Sequence, residues 1–179
     1  MKSALLIIDL QNALCSGDEA AFDIDRVVAR INEVAAKARA AGVPVILIQH
    51  EDVHGALQFR TEGWQLDERL VVAPADIRLR KTATDSFHRT ELQALLQSRG
   101  VDRLVVCGLQ SDFCIDSTVR GALAHGYPVT LVSDAHSTTD NRALSAAQIS
   151  AHHNATLANV GSFGPRVTLT ATAELRFEP

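Results

Sequence analysis

The sequence predicts a doubly wound α/β domain, a mainly parallel β-sheet of five or six strands with helices on both faces. Two observations carry this expectation. Short, nearly unbroken apolar runs recur along the chain, as strands covered on both faces require, and stretches of helical periodicity separate them. The spacing suits right-handed βαβ crossovers, which lay successive strands parallel.

The elements follow in order. Ala4–Ile8 predicts the first strand. Asp25–Ala41 predicts a helix, with Val27, Val28, Ile31, Val34 and Ala35 at helical spacing and Gly42 as its stop. Val43–Ile48 is a second strand, and the weaker run Asp76–Leu79, ahead of Arg80–Lys81, a third. Thr90–Ser98 reads as a second helix closed by Gly100, Leu104–Val106 as a fourth strand, and Cys114–His125 as a third helix ending at Gly126. Val129–Val132 is a fifth strand, Arg142–Ala158 a fourth helix, and Val167–Leu169 a faint last strand. Residues 50–75 break this rhythm: they lack periodicity and carry Phe59 and Trp64. A loop of that length inside a compact domain is usually functional or disordered.

The whole chain, 1–179, reads as one domain, since 179 residues with 46% apolar content suffice for one full core. A formal charge of −4, with no run of Lys or Arg, argues against nucleic acid as a partner. The apolar start is too short to span a membrane and has no small-residue cleavage site after it. Three cysteines, an odd number in a chain that needs no staples, point to reduced thiols and a cytoplasmic location.

Open parallel sheets bind ligands beyond the carboxyl ends of their strands, so residues ending strands are the first candidates. Asp9 ends the first, Lys81 the third, and Cys114 follows the fourth after Gly108–Phe113. Taken singly, each has a bland reading: a turn-forming Asp, a solvated Lys, a core Cys. Their common edge joins them. In the first turn of a helix, Cys114 would face the macrodipole's positive end and unpaired N–H groups, which favour a thiolate. With Lys81 near, moving the thiol from about 8.5 to about 6.5 needs about 2.7 kcal/mol. The same N–H groups suit an oxyanion, and Asp9 could take the thiol proton and pass it to a leaving amine. Cys107, inside an apolar strand, reads as core, and Cys15, in the polar run Cys15–Ala20, as a surface thiol.

At this point the residues resemble a family, the isochorismatase-like cysteine hydrolases, which include nicotinamidases, carbamoylsarcosine amidases, ureidoacrylate hydrolases and streptothricin hydrolases. The resemblance rests on Ala4–Asn12 (ALLIIDLQN), Arg80-Lys81-Thr82 with Ser86-Phe87 and Thr90-Glu91-Leu92, and Val106–Thr118 (VCGLQSDFCIDST). Gly126-Tyr127-Pro128 and Ser133-Asp134-Ala135 extend it. It implies an Asp9–Lys81–Cys114 catalytic group acting on a C–N bond through a covalent thioester. It also implies a non-proline cis peptide at Leu109–Gln110, with the backbone N–H groups of Gln110 and Cys114 as oxyanion hole. Cys114 favours amide chemistry over the family's vinyl ether cleavage, which is the competing reaction within the class. Outside enzymatic hydrolysis stand an idle small-molecule-binding protein and a redox-sensing thiol with Cys15 as resolving partner.

Nicotinamidases of this family hold a divalent metal on an Asp-x-His pair and a further His near Trp-Pro. Here Asp52-Val53-His54 lies further along the loop, and Trp64-Gln65-Leu66-Asp67 has neither the Pro nor the His. The expectation is no metal and no other cofactor, with His50 as a substrate contact. Leu14, Phe59, Trp64, Phe87, Gln110 and Phe113 are the remaining candidate substrate contacts, although core packing is the default for an aromatic. His152 and His153 are adjacent on one helix, face different ways, and read as structural or interface residues. By family analogy the expected partners are a small-molecule substrate and further copies of the chain.

Overall fold

The computed structural model describes residues 2–177. Strands β1 (Ser3–Ile8), β2 (Val45–His50), β3 (Ile77–Lys81), β4 (Arg103–Leu109), β5 (Val129–Ser137) and β6 (Val167–Thr170) form one six-stranded sheet, ordered β3-β2-β1-β4-β5-β6. Every pairing is parallel. Strand order reverses between β1 and β4, which sets the switch-point crevice beyond their carboxyl ends.

Helices α1 (Asn12–Cys15), α2 (Ile24–Ala40), α3 (Leu92–Ser98), α4 (Asp116–Ala124) and α5 (Ala146–Asn159) surround this sheet. Side chains alternate across a strand, so β1 serves two cores. Leu5 and Ile7 pack with Val27, Ile31 and Val34 of α2, whereas Leu6 and Ile8 pack with Leu92, Leu96, Val119 and Leu157 of α3, α4 and α5. Each fully buried aliphatic side chain contributes about 1.5–3 kcal/mol. That is why the β-branched runs along the sequence become the central strands.

Several elements depart from expectation. β5 runs on through Ser133–Ser137, because its polar residues find partners there: Asp134 accepts from the Thr172 N–H and hydroxyl, both at 2.8 Å. α5 starts at Ala146 rather than Arg142. The Asn141 carboxamide takes up the N–H groups of Ala143 and Leu144 in a turn, and Ser145 with Gln148 forms a capping box. Cys114 lies in a π-helical turn, Ser111–Ile115, ahead of the α-helical residues of α4. Residues 50–75 remain a loop, yet it is tied down: Gln11 Nε2 donates to the carbonyls of His50 and Trp64, each at 2.9 Å, and Gln49 Nε2 donates to Trp64 at 3.0 Å. No helix among the described residues is long and apolar enough to cross a membrane.

Gly108 permits the close approach of β4 to β1. Its φ is 122°, and a Cβ there would lie 2.1 Å from the Ile8 carbonyl oxygen and 2.6 Å from the Ile8 nitrogen, both backbone atoms that cannot step aside. Gly108→Ala is therefore expected to cost about 3 kcal/mol or more. Urea unfolding of the variant, with a midpoint near that of wild type, would refute this.

Candidate active site

β1 delivers Asp9 to the crevice in the left-handed region, φ 54°, which Asp tolerates better than most residues. Its N–H donates to the Ile48 carbonyl at 2.9 Å, and its own carbonyl accepts from Gln11 at 2.8 Å. A non-glycine residue held there by its neighbours is a frequent mark of a functional position. β3 ends on Lys81, which pairs in register with His50, the last residue of β2. Lys81 and Asp9 are each only 1% exposed.

The Lys81 ammonium is the hub. Its Nζ lies 2.8 Å from Asp9 Oδ2, 3.0 Å from His50 Nδ1, 3.1 Å from the Ala83 carbonyl and 3.1 Å from Cys114 Sγ. Three N–H groups are thus shared among four acceptors. Burial would strip this lysine of its proton, but the Asp9 carboxylate, with Cys114 beside it, outweighs burial, and its pKa stands above the ordinary value. Neither Asp9 oxygen has an aligned hydrogen-bond donor, so the ammonium holds the carboxylate by charge. Ligand atoms of Asp9, His50 and Cys114 all lie within 4.8 Å of one another.

His50 Nε2 faces Asp52 Oδ1 at 3.0 Å, so Nε2 carries the proton and Nδ1 accepts from Lys81. Asp9, His50 and Cys114 are the one cluster of metal-ligating type among the described residues. The Lys81 ammonium touches all three, so a metal ion there would meet a buried positive charge. His54 is exposed and Asp52 is engaged with His50. The donor set therefore fits an ammonium and not a resident metal.

The turn that carries Cys114 follows β4 through a cis peptide at Leu109–Gln110, where the resemblance placed it. The Gln110 carbonyl accepts from the N–H groups of Phe113 and Ile115, each at 3.1 Å. The thiol itself differs from expectation. Burial, reinforced by the Asp9 charge, pushes Cys114 up to about 12, and Lys81 offsets only part of this. The π-helical turn does not leave a resting thiolate, and a base is needed to make one. Alkylation of Cys114 by iodoacetamide in the free protein is accordingly expected to rise about tenfold per pH unit from pH 7 to 10. A plateau between pH 6 and 8 would contradict it.

Of the other candidates, Gln110 adjoins the cis peptide, and Phe113 stands half exposed beside Cys114. Trp64 is buried, and its ring meets Phe59 edge-on at 4.9 Å, with the Arg80 guanidinium 4.2 Å over Phe59. Phe87 is drawn into the core, 4.7 Å from His125 and 6.2 Å from Tyr127, where burial of its ring is favoured. Leu14 packs against the α2-side core. His153 ties α5 to α4 through Asp116 at 3.2 Å, and His152 is exposed. Cys15 is buried, not a surface thiol, because α1 folds it under Asp67 and Arg69; burial and Asp67 push it up to about 12. It belongs to the α2-side core and Cys114 to the opposite one, so the sheet separates the two sulfurs. Cys107 is fully buried, as expected.

Gln11 and Gln49 were not singled out in the sequence, yet they hold the loop over the site. The signal for them was an amide at the end of each buried apolar strand, since a buried carboxamide must find partners.

This fold is matched among known proteins. The chain belongs to the isochorismatase family, whose Isochorismatase domain matches residues 3–162. A streptothricin hydrolase of Streptomyces noursei is 41% identical over 138 residues, 76% of this chain and 55% of that protein. A second from the same organism is covered to 50%, so the chain spans about half the length of these curated relatives. The ureidoacrylate amidohydrolase RutB of Enterobacter sp. (strain 638) is 31% identical over 170 residues, 74% of either chain. The crystal structure of an isochorismatase from Pseudomonas putida KT2440 superposes with a TM-score of 0.89 at 31% identity, covering 97% of this chain and 89% of that one.

Proposed function

We propose that the chain is a cysteine-dependent amidohydrolase, a single domain that cleaves a C–N bond of a small amide or ureido compound. The observation that carries this reading is the buried group in which the Lys81 ammonium lies 2.8 Å from Asp9 and 3.1 Å from Cys114. Relatives named for hydrolysis of streptothricin and ureidoacrylate support the same bond class.

Asp9 takes the proton from Cys114 Sγ as the sulfur attacks the carbonyl carbon. The N–H groups of Gln110 and Cys114 receive the oxyanion, and Lys81 steadies the charges of Asp9 and the sulfur. Collapse breaks the C–N bond while Asp9 returns the proton to the leaving nitrogen, which leaves a thioester on Cys114. Asp9 then draws a proton from water, hydroxide adds to the thioester, the C–S bond breaks, and the sulfur regains its proton. The products are a carboxylic or carbamic acid and an amine or ammonia. No step calls for a metal or other cofactor.

His50, Trp64, Phe59 and Phe113 wall the crevice in this reading, with Gln110 at its base. Assembly with further copies of the chain belongs to it as well, supported by the exposed Phe22 and Phe163, as does a cytoplasmic location, supported by three free thiols. The test is ammonia or amine release from a panel of small amides and ureido compounds, with Cys114→Ser alongside. Release that disappears in Cys114→Ser is the expected result. Equal release by the two proteins would overturn the assignment, and a non-amine product from an enol ether would favour ether cleavage instead.

A further inference from the structure

A second polar group lies behind the nucleophile turn. His136, on β5 and 4% exposed, presents Nδ1 to the Ser111 hydroxyl at 2.8 Å and Nε2 to Asn154 Oδ1 at 3.0 Å. Ser111 is fully buried and opens the π-helical turn that holds Cys114, directly after Gln110. Its hydroxyl also meets Ser150 Oγ of α5 at 2.9 Å.

Chemistry fixes the direction of every bond in this chain. Asn154 Nδ2 donates to the Ser133 carbonyl at 2.9 Å, so the atom it turns to His136 is the acceptor Oδ1. His136 Nε2 must therefore carry a proton, and with burial holding the imidazole below its ordinary pKa, Nδ1 is left as an acceptor. Ser111 must donate to Nδ1, and its oxygen is then free to accept from Ser150. Donation runs one way, from Ser150 through Ser111 and His136 to Asn154 and the Ser133 carbonyl. A fully satisfied buried network of this kind specifies one geometry.

We propose that His136, acting through the Ser111 hydroxyl, is a positioning residue that sets the orientation of the turn bearing Gln110 and Cys114. The inference rests on the reading of Cys114 as nucleophile. The backbone register gives it leverage: His136 pairs with Gly108 and Ser137 with Leu109, so β5 is locked to β4 just ahead of Gln110. A parallel tie, from the Thr138 hydroxyl to Asp112 Oδ1 at 2.6 Å, holds the next residue of the same turn. Displacement of a reacting atom by about 1 Å can cost about 100-fold in rate, so a loosened turn acts on turnover more than on binding.

Two near-isosteric variants separate positioning from mere packing. In His136→Asn the amide oxygen takes the place of Nδ1 and still accepts from Ser111. In His136→Gln the amide nitrogen takes the place of Nε2 and serves Asn154 instead. We expect His136→Asn to keep kcat within about threefold of wild type and His136→Gln to lower it about 10- to 100-fold with KM little changed. Ser111→Ala, a smaller perturbation of folding, should match His136→Gln, and the double variant should be no worse than either. Equal losses in the Asn and Gln variants, or losses that multiply in the double variant, would overturn the positioning role. Cys114→Ser in the same assay distinguishes the two claims: activity that survives there defeats the nucleophile, whereas an inactive Cys114→Ser beside unaffected His136 and Ser111 variants defeats only the positioning role.

Discussion

Asp9→Asn is expected to lower kcat by about 1,000-fold while leaving KM close to wild type. The Cys114 thiol is pushed up to about 12, so near neutral pH it is protonated and needs a base within reach. Asp9 is the carboxylate within 4.8 Å of the sulfur, and its carboxamide replacement cannot accept that proton. Proton transfer by a placed side chain contributes roughly 100- to 10,000-fold, which sets the size of the loss. The variant should also unfold more easily. It removes the charge that outweighs the burial of Lys81, whose pKa then falls, and a buried ammonium without its counter-charge costs about 3–5 kcal/mol. Steady-state kinetics alongside urea unfolding checks both; unchanged kcat would remove Asp9 from the mechanism.

Lys81→Met should show the complementary pattern. Met fills much of the lysine's volume without its charge, and the Asp9 carboxylate is left buried against an apolar chain. A stability loss of about 3–5 kcal/mol is expected, together with a fall in kcat of at least about 100-fold, since the ammonium contacts both Asp9 and Cys114. Combining Asp9→Asn with Lys81→Met removes the unpaired charge from either single variant. The double variant should recover much of the stability and stay inactive. That outcome separates the pair's catalytic role from its cost in folding; stability losses that simply add would show that the two side chains are not coupled.

The legibility of the sequence follows the range of the interactions involved. The strands could be read because Leu5–Ile8, Ile46–Ile48 and Leu104–Val106 need only burial on two faces, a property written locally. α2 was equally plain, with its apolar stripe and Gly42. Asp9, Lys81 and Cys114 could be placed at one edge because parallel topology brings all carboxyl ends of the strands together. The rest depends on partners distant in the chain. The thiol's environment turns on its burial in the assembled core and then on Asp9, more than 100 positions away, so the local expectation of a lowered pKa had the wrong sign. Cys15 is buried by Asp67 and Arg69, and the loop over the site is held by Gln11; neither contact leaves a periodic trace. The π-helical start of α4 was equally hidden, because its pattern of apolar residues passes for an ordinary first turn.

The central claim is that Cys114 forms a covalent bond with the acyl group. Its most direct test is rapid acid quenching during turnover of a small amide, digestion, and mass measurement of the peptide that contains Cys114. The account predicts a transient mass increase equal to the acyl group on that peptide, appearing with the first amine released and absent from Cys114→Ser. Sustained turnover with an unmodified Cys114 peptide, or an acyl adduct on a different residue, would contradict it.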